Sequence, residues 1–161
     1  MTEDVAQVSD PLQDRAQVRI FTLADYVAEE SSGKLYISGA GLEWTEVVAR
    51  PDPNGTHHLL SFSLIIRVAI PRAIVRSTHA VEVFVFDRDG APLGPDSLIK
   101  ADMHFDLKRV PHDFTEVSGN LPAQIMNFPV DAGPEDIIFL NLLVDDVLVS
   151  RLPVQLRPAD S

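Results

Sequence analysis

The sequence predicts an all-β fold, an antiparallel β-sandwich of about seven to nine strands in an Ig-like or C2-like arrangement. Three observations carry this prediction. Apolar residues recur at every second position in several short runs, most plainly Leu60, Phe62, Leu64, Ile66, Val68 and Ile70. Turn signals rich in Pro, Gly, Asn and Asp separate those runs, and nearly all of the 12 prolines are expected between strands. No segment keeps a helical period over several turns. A closed barrel is the alternative.

In chain order, residues 1–17 are polar and acidic without an apolar period. They are expected to form a tail, or an arm that orders against a partner. The sandwich domain is expected over residues 18–157, with a short tail at 158–161. Val18 to Leu23 is rich in β-formers, and Ala24 to Glu30 is too short for a stable helix. Ser31-Ser32-Gly33 signals a turn. Lys34 to Ser38 reads as a strand with Leu35 and Ile37 on one face. Gly39-Ala40-Gly41 then interrupts the pattern as a bulge would, before Leu42 to Val48 resumes with the lone tryptophan, Trp44. Leu35, Ile37 and Trp44 are expected to anchor the core.

Pro51-Asp52-Pro53-Asn54-Gly55 is the strongest turn, and Leu59 to Ile70 the clearest strand, ended by Pro71. A further strand covers Ala80 to Phe86, apolar on both faces at its end as a central sandwich strand or an interface strand would be, and Phe84 and Phe86 are the candidate interface residues. Lys100 to Lys108 alternates polar and apolar residues throughout, as a half-solvated strand does. Val110 to Pro122 reads as a loop and Gln124 to Val130 as a strand. Ile137 to Val144 and Val147 to Leu156 form a hairpin about Asp145-Asp146. Pro153 places the last strand at an edge.

Leu23-Ala24-Asp25-Tyr26, followed by Gly33-Lys34-Leu35-Tyr36-Ile37-Ser38-Gly39-Ala40-Gly41 and Trp44, resembles a family of small uncharacterised bacterial proteins. Members open with a "LADYA…GKLNIIGAGW" pattern. The resemblance runs from about Arg19 to Leu156 and is specific in the opening stretch. Tyr36 stands where the family's usual Asn is, and Leu42-Glu43 separates the glycines from the tryptophan. The resemblance implies a single β-sandwich domain and carries no activity with it.

Composition narrows the function classes. With 24 acidic against 13 basic residues, the formal charge of -11 repels phosphates, which argues against nucleic acid and against an anionic membrane surface. There is no cysteine, so disulfides, thiolate metal sites and a cysteine nucleophile are excluded. The opening residues lack the basic-then-apolar order of a signal peptide, and no apolar run is long enough to span a bilayer. The cytoplasm is the expected compartment, or the virion if a phage encodes the chain.

Asp102, His104 and Asp106 share one face of a strand and are candidate ligands, although a solvated face flanked by Lys100 and Lys108 is the simpler account. His57 and His58 are adjacent, so their side chains point to opposite faces. Asp87-Arg88-Asp89-Gly90 fails as an EF-hand loop, because Pro92 and Leu98 stand where Gly and Glu are needed. Asp87, Asp89, Asp96, Asp145 and Asp146 are weaker candidates for a calcium site built from loops; the simpler account is that turns favour Asp. No Gly-x-Ser-x-Gly elbow and no dinucleotide fingerprint are present. Asn54-Gly55-Thr56 is read as a turn.

No catalytic residue and no cofactor are therefore expected. The expectation is a non-catalytic module that binds a protein partner or self-assembles. A virion accessory subunit and a small-ligand or calcium-dependent binding domain are the alternatives.

Overall fold

In the computed structural model, which describes residues 15–32 and 34–160, ten strands are joined by tight turns and one short 3-10 turn. They are β1 (Gln17–Ala24), β2 (Tyr26–Glu29), β3 (Leu35–Ser38), β4 (Trp44–Asp52), β5 (Gly55–Pro71), β6 (Thr78–Phe86), β7 (Ile99–His104), β8 (Glu116–Val130), β9 (Ile137–Val144) and β10 (Val147–Pro158). The longest, β5, has 17 residues and serves as the spine of one layer. One edge of β5 pairs with β8 from His58 to Pro71, while the other pairs with β4 up to Leu60 and with β1 from Ser63.

The second layer runs β4-β10-β9-β6-β7. β4 begins there, with Trp44 to Val47 paired to Gln155 to Pro158 of β10, and then crosses to β5. One strand thus ties the two layers together, and the result is an open, sandwich-like arrangement rather than a barrel. The core lies between the layers. Leu60, Leu64, Ile66, Val68 and Ile70 of β5 meet Val81, Val83 and Val85 of β6 and Ile138, Leu140 and Leu142 of β9. Each such side chain contributes about 1.5–3 kcal/mol on burial. The period-two pattern of Leu60 to Ile70 is the pattern of this buried face.

Several expectations need correction. The sheet is mixed, because β4 and β10 pair in parallel. Pro51, Pro71, Pro122, Pro129, Pro153 and Pro158 lie within strands rather than between them. β8 tolerates two of these because it pairs on one edge only. At Pro153, β10 has β9 beside it but not yet β4. The supposed loop before Pro122 is the first half of β8, and residues beyond His104 leave β7 for the 3-10 turn Leu107–Arg109, capped by Asp106. Of the expected acidic tail, residues 1–14 lie outside the described ones; Ala16 is buried and Gln17 already begins β1. At the other end, Pro158 is still in β10 and the Ala159 N–H donates to the Val47 carbonyl.

The largest correction concerns β2 and β3, which form a separate hairpin. Ile37 is 39% exposed, and Leu35 and Trp44 are only partly buried, so they do not anchor the core as expected. Gly39 and Gly41 take φ of 63° and 87°, forming a corner after β3 rather than a bulge within a strand. Leu42 then bridges to Leu23 and packs against the core in place of the expected residues.

Candidate functional site

The outward face of the second layer departs from the usual polar pattern. β6 alternates strictly, with Val81, Val83 and Val85 buried and Glu82, Phe84 and Phe86 turned outward and half-buried. The Phe84 and Phe86 rings lie 6.3 Å apart at 46°. Pairing sets Phe139 of β9 beside Phe86, and Asn141 beside Phe84. Pro153 and Arg151 of β10 continue the same two rows, and the Arg151 guanidinium lies 3.9 Å above the Phe139 ring. Leu143 and the exposed Leu148 form a third row. The Asn141 Oδ1 atom is enclosed among these side chains without a hydrogen-bond partner. A half-solvated antiparallel sheet would ordinarily show polar residues at such positions. Aromatic residues and arginine are the types enriched at interface centres. Phe84 and Phe86 were legible in the sequence; Phe139 and Arg151 were not, because only the β6–β9–β10 register brings them alongside.

The best-formed polar cluster is at one end of the sandwich. His79, 2% exposed, lies 2.6 Å through Nδ1 from Asp145 Oδ2, while Asp145 Oδ1 accepts from the Ala80 N–H at 2.9 Å. Arg76 Nη2 lies 3.1 Å from Asp145 Oδ2. A His–Asp pair is half of a catalytic triad, so the second imidazole nitrogen decides the matter. It is occupied: the Arg76 backbone N–H donates to Nε2 at 3.0 Å. That bond places the ring proton on Nδ1 and leaves no acceptor for a nucleophile's proton. Phe105 meets the ring edge-on at 6.0 Å. The cluster holds the β9–β10 turn to the start of β6.

That turn is the expected two-residue hairpin. Asp145 and Asp146 have φ of 49° and 65°, both left-handed, as the favoured hairpin turns require. Burial works to raise the Asp145 pKa, but the hydrogen bonds from His79 and the Ala80 N–H, with the charge of Arg76, outweigh it and hold the carboxyl below its ordinary 3.8.

The other acidic candidates do not join Asp145 and Asp146. Asp87 and Asp89 follow β6, while Asp145 bonds to Ala80 near its start, so the two pairs are roughly 20 Å apart along the strand. Asp87 Oδ1 accepts from the Asp89 and Ala91 N–H groups, which accounts for its place in the turn. Asp102 and His104 lie in β7, whereas Asp106 caps the 3-10 turn, so the three no longer share a strand face. His57 pairs with Asp52 instead of with its neighbour His58. Among the described residues, no group of three or more His, Cys, Asp or Glu is arranged to hold a metal ion. Among them too, no helix is long and apolar enough to cross a membrane.

A cleft of about 390 Å³ opens where β4 diverges from β5, lined among others by Asp25, Thr45, Glu46, Ser63 and Trp44. Sequence reasoning missed it, since its walls come from four separate stretches of the chain.

Fold and surface together define an all-β, sandwich-like domain with an aromatic patch on one outer sheet face. The chain belongs to a family whose model carries the description "Family of unknown function (DUF6941)" and matches residues 19–157. No curated protein matches the chain.

Proposed function

We propose that this protein is a non-catalytic interaction module that docks a protein partner, or a second copy of itself, through the outward face of β6, β9 and β10. The observation that carries the reading is the aromatic patch of Phe84, Phe86 and Phe139, with Arg151 stacked on the Phe139 ring. Aromatic side chains bring large contact area at small entropic cost, and arginine supplies donors at the rim. The His79–Asp145 pair supports a non-catalytic reading, because both imidazole nitrogens are already engaged. A bacterial or phage origin and a cytoplasmic or virion location accompany this reading. Attachment to a virion as an accessory subunit would be one form of the same role.

The test is Phe84→Ser combined with Phe139→Ser, compared with the unmodified protein by sedimentation and by cross-linking mass spectrometry in its own host. The expected result is a folded variant that loses its oligomer or its cross-linked partner. An unmodified protein that sediments as a monomer and cross-links to nothing through these strands would overturn the proposal.

A further inference from the structure

The cleft between β4 and β5 is a consequence of strand crossing. β1 leaves the β5 edge at Ser63, and β4 joins that edge only at Leu60. In between, the edge is open, and the β4 segment beginning at Trp44 turns away towards β10. The volume of about 390 Å³ falls within the range of small-ligand clefts, roughly 300–1,000 Å³.

Two polar residues that line it are almost fully buried, Thr45 at 6% exposure and Ser63 at 9%. Neither hydroxyl has a hydrogen-bond partner among the described residues, and neither oxygen is among the fully enclosed unpaired ones, so both remain open to a ligand. Asp25 and Glu46 also line the cleft, and neither carboxylate has an ion pair among the described residues. Gly39 makes room for Asp25, since a Cβ there would overlap its Oδ2 atom. Among the described residues, no Lys, Arg or His lines the cleft. The Arg157 guanidinium sits 4.6 Å above the Trp44 ring.

We propose that this cleft binds a cationic hydrogen-bond donor, an ammonium or guanidinium group at the end of an apolar stem. Ionised carboxylates only accept hydrogen bonds, and each hydroxyl can accept as well, so the site offers acceptors and lacks a donor cation. An anion is repelled. Leu42, Phe62 and Trp44 form the apolar wall that a methylene stem requires. A lysine or arginine side chain of a partner supplies this chemistry, and so does a free polyamine. The inference stands apart from the aromatic face, which lies on different strands.

Trp44, the only tryptophan, is a built-in reporter. Its fluorescence is titrated with Ala-Lys-Ala and Ala-Arg-Ala peptides capped at both ends, with spermidine, and with the capped Ala-norleucine-Ala peptide as the uncharged isostere. The expected result is a saturable change with the cationic probes and none with norleucine. Thr45→Val and Ser63→Ala are each expected to raise the dissociation constant about tenfold, the worth of one hydrogen bond, with the melting temperature kept or raised. Peptide binding without spermidine binding assigns the site to a partner's side chain; binding of both assigns it to amines generally. An equal response to norleucine, or no saturable response to any cationic probe, would overturn the proposal. Phe84→Ser leaves this titration unchanged, so failure here and failure of the docking face are read separately.

Discussion

Asp145 shows how much one carboxylate can do in a turn. Its left-handed backbone suits the two-residue hairpin, and its two oxygens hold Ala80, His79 and Arg76. Because its pKa is lowered in the folded protein, the unfolded chain binds the proton more readily in acid. The Asp145 contribution is therefore complete above the ordinary carboxylate value of 3.8 and is lost as the pH falls through the lowered folded value. Asp145→Asn keeps a residue that accepts positive φ while removing the charge. It is expected to cost about 1–3 kcal/mol at pH 7, as loss of hydrogen bonds to a charged group does, and to flatten the fall in stability below pH 4. Urea midpoints of both proteins from pH 7 to pH 3 check this; parallel curves would contradict it. The turn itself was legible in the sequence, because Asp-Asp between β-rich runs is a local signal. His79 was not singled out, since its partner lies 66 residues away and only the β6–β9 register joins them.

At the level of elements, alternation told where strands run but not which of them reach the core. β6 and β7 follow their expected period closely, with Met103 buried between exposed Asp102 and His104. The same reasoning placed Ile37 inside, and there it misled. A four-residue strand has two apolar-compatible faces, and the glycine corner after it turns β2 and β3 away from the main sheet. Ile66→Ala is expected to cost about 2–5 kcal/mol, as truncation of a fully buried side chain does. Ile37→Ala is expected to stay within about 0.5 kcal/mol, as for other surface positions. Chemical denaturation of the two variants decides it: comparable losses would return Ile37 to the core. β8 was half-read for a different reason. Its prolines look like loop residues in sequence, and only its position on the β5 edge makes them compatible with a strand.

For the molecule as a whole, stability is expected to be uneven. β5, β6 and β9 carry most of the buried residues, whereas the β2–β3 hairpin exposes Tyr26, Tyr36 and Ile37. Isolated two-stranded hairpins are marginal in water. Amide hydrogen exchange is expected to be slowest in β5, β6 and β9 and fastest in β2 and β3, reporting local opening of the hairpin without global unfolding. Uniform protection across all ten strands would count against this division. All-β architecture and the hairpin at Asp145 were readable from local pattern. The mixed sheet, the aromatic rows and the cleft depend on pairings between distant segments, which no local pattern encodes.

The parallel pairing of β4 with β10 also constrains how the protein comes into being. β4 is made well before β10, yet the partner for its first four residues lies at Gln155 to Pro158. Until residues 147–158 have left the ribosome, β9 lacks a neighbour on one edge and β4 has no tie to the second layer. Long-range pairings of this kind slow folding and leave strand edges open to other chains. Closure of the nascent fold thus depends on β10, and a ribosome stalled within β10 leaves a sticky, half-laced intermediate rather than a smaller working domain.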